Sequence, residues 1–186
     1  IGVWGSDDMT VFKALGKCLG KRIEVMKLRR FVNILSSHAL ATLTEGIEIE
    51  KIEIGNELGD SELTDGIGNE LLHIVKNNQI KQLDMDVDAV KLSDPVQFLL
   101  ELSSVLESLE IGHDAITELD DTRPYFFGIY DLDWAPIILD MFTRKLDTLS
   151  IRNYCSQYIN LESAEQLRKE LPLIEKKFWF STKCDA

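Results

Sequence analysis

Cysteine is scarce in this chain. Its 186 residues hold three, Cys18, Cys155 and Cys184. The number is odd, the spacing is wide and no C-x-x-C occurs. That excludes a disulfide framework and fits plain buried thiols in a reducing compartment. Asn-x-Ser/Thr acceptors are missing as well. Long apolar runs are absent: the longest are pieces such as "VQFLLEL" and "APIILDMF", far below the ~18 residues of a membrane span. There is no secretory signal. These absences lead to the expectation of an intracellular protein, cytoplasmic or nuclear. The chain starts at Ile1 without Met, and a further domain or subunit upstream is expected.

Positive charge is also in short supply. Lys and Arg number 20 against 32 Asp and Glu, a formal net charge of −12. A phosphate backbone would be repelled by most of such a surface, so nucleic acid and anionic membrane are poor partners. A protein with a basic surface is the better one. The composition, 45% hydrophobic and 28% charged, is that of one ordinary globular domain or a segment of an array. We read residues 1–186 as a single domain.

Catalytic signatures are equally thin. "GIGNEL" (Gly66–Leu71) lacks the third glycine of a dinucleotide loop and reads instead as a helix start loosened by glycine. No P-loop occurs. His38, His73 and His113 stand far apart, with no pairing at metal-ligand spacing. "DMDVDAV" (Asp84–Val90) is the one enzymatic pattern. A D-x-D after a strand opens metal-dependent phosphotransferases, where one carboxylate attacks phosphorus and the next handles the proton and the metal. On that alternative the chain is a small phosphatase-like α/β enzyme using Asp84 and Asp86. The D-x-D-x-D also opens an EF-hand, but Ala89 and Pro95 stand where its Gly and Glu belong. We expect no catalytic residue, no metal site and no cofactor.

What the sequence does contain is a recurring apolar-x-x-apolar-x-apolar triplet. It occurs at "IEVMKL" (Ile23–Leu28), "IEKIEI" (Ile49–Ile54), "IKQLDM" (Ile80–Met85), "LESLEI" (Leu106–Ile111) and "LDTLSI" (Leu146–Ile151). A looser sixth is "IEKKFW" (Ile174–Trp179), with Lys177 in an apolar position. The triplets recur every ~26 to 40 residues, within the range of repeat arrays. Polar residues between the apolar ones indicate strands with one wet face.

Helical stretches lie between the triplets. Ser6 is placed to cap "DDMTVFKALGKCL", and Leu28–Leu43 reads as helix. Ser61 is placed to cap "ELTDGIGNELLHIVKNN", whose Leu71, Leu72, Ile74 and Val75 form an apolar stripe. Asp94 precedes Pro95 at the first helical position of "PVQFLLELSSVL". Asp133 opens "WAPIILDMFTRK", and Asn160 opens "LESAEQLRKEL", which stops before Pro172. Strands alternating with helices imply a parallel sheet. A doubly wound sheet buries both faces and has continuously apolar strands, whereas these strands alternate. The expected fold class is therefore α/β, a solenoid with parallel strands on the concave face and helices on the convex face.

In this pattern the chain, from about Ile23 to Trp179, resembles intracellular leucine-rich-repeat proteins of the long-repeat type, such as ribonuclease-inhibitor-like repeats and the repeat regions of F-box proteins. The family places Asn or Cys three residues past the last strand leucine, to satisfy backbone groups in the turn. Here Phe31, Glu57, Asp88, Asp114 and Tyr154 stand there, so the turns are irregular. The resemblance implies about six strand–helix units, an insertion near 113–134 and a C-terminal capping strand near 174–181. It also implies a protein-interaction role, such as the substrate-recognition part of a ubiquitin-ligase adaptor.

On such a scaffold the outward residues form columns. The central one reads Lys27, Glu53, Asp84, Glu110, Ser150. Beside it run Lys51, Gln82, Ser108 and Thr148 on one side, and Arg29, Gly55, Asp86, Gly112 and Arg152 on the other. Carboxylates in neighbouring strands ~4.8 Å apart make an acidic stripe that a partner's Lys or Arg would relieve. The insertion adds aromatic residues of the kind enriched at interfaces, Tyr125, Phe126, Phe127 and Tyr130. The expected partner-binding residues are thus Lys51, Glu53, Asp84, Asp86, Glu110 and these four aromatics. Trp179 and Phe180 are expected to seal the open end of the core or to dock another subunit.

Overall fold

The computed structural model describes residues 9–29, 39–55, 62–87, 89–113, 134–153, 166–167, 169–171 and 176–182. In chain order its elements are α1 (Met9–Cys18), β1 (Arg22–Arg29), α2 (Ala39–Leu43), β2 (Glu48–Gly55), β3 (Glu62–Thr64), α3 (Asp65–Asn77), β4 (Gln82–Val87), β5 (Ala89–Lys91), α4 (Pro95–Ser103), β6 (Ser108–His113), α5 (Trp134–Phe142), β7 (Thr148–Asn153) and β8 (Lys177–Thr182).

The fold is α/β, built on a six-stranded sheet in the order β1-β2-β4-β6-β7-β8. Every pairing in it is parallel. Each strand adds to the same growing edge, and the order never reverses among these strands. A doubly wound sheet, by contrast, reverses at a switch point. The helices follow the same rule, with α1 against α2, α2 against α3, α3 against α4 and α4 against α5. A second sheet pairs β3 with β5 in parallel.

The triplets form the strands because a pleat sends alternate side chains to opposite faces. The last two apolar residues of each of the first five triplets share one face of their strand, and the first, at or ahead of the strand start, is drawn into the core as well. Leu28, Ile49, Ile52, Ile54, Ile80, Leu83, Met85, Leu106, Leu109, Ile111, Leu146, Leu149 and Ile151 are buried, and Ile23 and Met26 partly so. They stack in rows across the sheet: Ile52 beside Leu83, Leu83 beside Leu109, Leu109 beside Leu149. The helices cover this face with Leu71, Ile74, Val75, Phe98, Leu99, Leu102, Ile138, Met141 and Phe142, in one continuous core.

The entries to the strands repeat too. The N–H of Lys81 donates to Glu50 O, that of Glu107 to Lys81 O, that of Asp147 to Glu107 O and that of Lys177 to Asp147 O. Each connection is thus bonded to the one before it, which satisfies backbone groups just ahead of the ladder. The side chains here alternate in sign, with Lys81 near Glu107 (3.5 Å), Lys145 near Glu107 (3.8 Å) and Lys176 on Asp147 (2.6 Å). Deeper in, Asn78 Nδ2 donates to Thr44 Oγ1 (3.2 Å), and Thr44 Oγ1 donates to Leu40 O (2.9 Å), a buried polar link between the ends of α2 and α3.

Several local expectations need correction. Helix α3 starts at Asp65, not after Ser61, because 62–64 pair as β3 with β5; its cap is Thr64, whose side chain makes no capping hydrogen bond. The helix expected over Leu28–Leu43 is limited, among the described residues, to Ala39–Leu43, and Leu28 belongs to β1. The last strand pairs Leu149 with Phe178 and Ile151 with Phe180. Phe178, not Lys177 or Trp179, therefore takes the inward position, and Trp179 does not seal the core. By contrast, Asp94 Oδ1 accepts from the Gln97 N–H (2.9 Å) ahead of Pro95, as read from the sequence. The stretch around Gly66 and Gly68 is the first turns of α3. A Cβ on Gly68 would stand 2.9 Å from Leu92 Cδ2, so that glycine serves packing. Ser6, Asp133 and Asn160 lie outside the described residues.

Candidate functional site

The face of the six-stranded sheet opposite the described helices carries the polar columns. The pairing register runs Lys27–Glu53–Asp84–Glu110–Ser150–Trp179 in one row across all six strands. A second row reads Val25–Lys51–Gln82–Ser108–Thr148–Lys177. A third places Asp86 beside Gly112 and Gly112 beside Arg152, with Arg29 beside Gly55. Period-two alternation dictates this outcome: once the last two apolar residues of a triplet go inward, the residues flanking each of them go outward.

The carboxylates are not equivalent. Lys27 Nζ lies 2.7 Å from Glu53 Oε2, and Lys51 Nζ lies 2.8 Å from Glu53 Oε1. Hydrogen bonds from Lys27 and from Lys51 lower the Glu53 pKa from 4.5 to about 2. Lys51 responds in the opposite sense. Its pKa is raised, first by the hydrogen bond to Glu53 and further by the fields of Glu53, Asp84 and Glu110, with partial burial opposing. Lys51 thus sits among three carboxylates from three neighbouring strands. Two lysines converge on Glu53 across β1 and β2, and Asp84 of β4 and Glu110 of β6 add to the field at Lys51.

At the other end stands Trp179, 65% exposed. Its row neighbour is Ser150 and its neighbour on the same strand and face is the exposed Lys177. Lys27, Ser150 and Trp179 are the members of the central row that the sequence reading did not place among its binding residues. For Trp179 the signal was present in "KFWFST": two phenylalanines flank the tryptophan at strand spacing, and Phe178 packs against the core.

The structure brings Lys51, Glu53, Asp84 and Glu110 together on one face and puts the backbone of Asp86 in the adjacent row. The side chain of Asp86 lies outside the described residues, as do Tyr125, Phe126, Phe127 and Tyr130. Asp84 stands inside β4, between Glu53 and Glu110. Among the described residues no group of three or more His, Cys, Asp or Glu is arranged to hold a metal ion. No helix among them is long and apolar enough to cross a membrane.

A groove of about 330 Å³ lies between α3 and α4, bounded by Leu72, Leu92 and Phe98. The carboxylates on its wall are engaged within the chain. Asp65 Oδ1 accepts from the N–H and hydroxyl of Ser93, Asp94 caps α4, and Glu101 pairs with Lys76 at 2.7 Å. Compared with models of protein families, with curated proteins and with solved structures, the chain matches none of them.

Proposed function

We propose that this chain is a leucine-rich-repeat-like solenoid that works as a protein-interaction module, and that its polar strand face binds a protein with a basic surface. The observation that carries this reading is the in-register row from Lys27 to Trp179 on the side of the sheet opposite the helices. Support for the solenoid comes from the strand order without reversal, the helices packed in chain order and the strand entries each bonded to the one before. Such a sheet presents polar side chains at a fixed spacing of ~4.8 Å per strand, a rigid template for recognition.

Net charge of −12 favours encounter with basic partners. The aromatic residues Tyr125, Phe126, Phe127 and Tyr130 are proposed, from the sequence alone, as further binding residues. The resemblance carries the reading one step further, to the substrate-recognition part of an intracellular ubiquitin-ligase adaptor. The test is a pull-down from native lysate with wild type and with the variant Glu53→Lys, Asp84→Lys, Glu110→Lys, its fold checked by circular dichroism. A basic-surfaced protein captured by wild type and lost in the variant supports the reading. The same proteins captured by both would overturn it.

A further inference from the structure

We propose that this chain associates with itself head to tail, the β8 edge of one copy pairing in parallel with the β1 edge of the next, so that one sheet continues into another. The inference concerns the two ends of the sheet and does not depend on what the polar face binds.

β1 and β8 end the strand order, and among the described residues neither has a strand on its outer side. An edge strand offers its backbone N–H and C=O groups to another chain. The large hydrophobics exposed among the described residues are Val25 (40%) and Trp179 (65%), one on each of these edge strands. The inward row behind them runs Met26–Ile52–Leu83–Leu109–Leu149–Phe178. Its four middle members are buried, and its two ends only partly so. The helix layer ends in the same way. A Cβ at Gly16 would meet Leu43 O, so that side of α1 faces α2. Ala14 and Cys18, two residues before and after Gly16, fall on the opposite flank at 3.6 residues per turn, and both are exposed. Each described helix rests against the next in chain order, and this flank is where a preceding one would lie.

The register selects a second copy as the occupant. Continuing the rows of the sheet onto it sets Trp179 beside Lys27, Lys177 beside Val25, Phe178 beside Met26 and Lys176 beside Glu24. The inward row stays apolar, and no like charges meet. Glu53 on β2 holds the Lys27 ammonium at 2.7 Å, which leaves the methylene stem to lie against the indole. A slip of two residues is the smallest that keeps each face on its own side. In one direction it sets Lys177 against Lys27. In the other it sets Lys176 against Arg22 and Phe178 against Glu24. Like charges directly opposite are unfavourable, so the continued register is preferred. Two different edges meet in this contact, so copies add one after another.

The test is sedimentation velocity across a concentration series for wild type, Val25→Lys, Trp179→Lys and an equimolar mixture of the two variants. Both substitutions fall at outward positions, and each sets a new lysine against the one on the facing strand. Circular dichroism checks each fold, and Trp179→Thr replaces Trp179→Lys if the latter fails that check. Wild type should grow from monomer through dimer to longer chains as concentration rises. Each variant alone should stay monomeric to at least about tenfold above the wild-type onset. Mixed, the two should form one-to-one dimers and nothing longer, because each supplies the edge that the other has lost. A wild type that stays monomeric overturns the proposal, and so does a mixture that stays monomeric. A wild type that stops at dimers, or a Val25→Lys variant that associates by itself, overturns it in favour of β8 pairing with β8. Variants that associate as wild type does place the contact elsewhere and overturn it too.

Discussion

Glu53 holds two ammonium groups with one carboxylate, and that arrangement has a pH signature. Its folded pKa, about 2, lies below the 4.5 it has without partners. The stabilisation it gives is therefore fully present above about pH 4.5 and is lost as pH falls through the window down to about 2. Titration of the Glu53 carboxyl carbon by NMR should show the low midpoint, and the double variant Lys27→Met, Lys51→Met should return it toward the ordinary range. A midpoint unmoved by that variant would mean that the two lysines are not its cause. Salt should weaken the effect, because the group is at the surface. Gln79 is a second residue with a local consequence. It follows the C-cap of α3 with φ of 52°, a left-handed conformation that a side chain resists. Gln79→Gly should leave stability unchanged or raise it by up to about 1 kcal/mol in urea unfolding.

The elements depend on close approaches. A Cβ at Gly16 in α1 would stand 2.7 Å from the backbone oxygen of Leu43 at the end of α2, which cannot swing aside as a side chain could. Gly16→Ala should cost about 1–3 kcal/mol by forcing α1 off α2, read as a lower urea midpoint with unchanged slope. Helix α4 has a cap whose removal is easier to estimate. Asp94→Ala should cost about 1 kcal/mol, because the Gln97 N–H loses its acceptor. Much at this scale was legible in the residues themselves. The Asp94-Pro95 start is a local signal, and the triplets carry their strands. The start of α3 was not legible, because whether 62–64 extend as strand or coil as helix depends on a pairing with 89–91 that no local pattern encodes.

For the whole molecule, charge and topology act together. The negative net charge should speed association with a basic partner, and the effect should fade as salt is raised. Stopped-flow binding across a salt series should show an association rate that falls with ionic strength, whereas the triple charge reversal should flatten that dependence. An association rate indifferent to salt would sink the electrostatic half of the proposed function. The core extends unbroken beneath the whole row, so its loss should be felt globally. Leu109, fully buried in the middle of the sheet, should cost about 2–5 kcal/mol on replacement by alanine, read as a single cooperative shift of the unfolding curve.

For the first five triplets the sequence by itself determined which face of the strand is wet. Alternation at period two admits one answer once the apolar residues are driven inward, and so the row Glu53, Asp84, Glu110 and Ser150 could be written down from the triplets alone. Only the tertiary structure decided what those charges do to one another. Lys27 and Lys51 converge on a single carboxylate across a strand pairing, and no spacing along the chain reveals that two lysines 24 residues apart meet there. Tertiary structure also decided the register of the last strand. "IEKKFW" and "KFWFST" offer two phases for the same residues, and pairing with β7 selects the one that packs Phe178, partly buried, against the core and leaves Trp179 in water. Burial is a property of the partner strand and the helices above it, and that is why one side chain passed from core to surface.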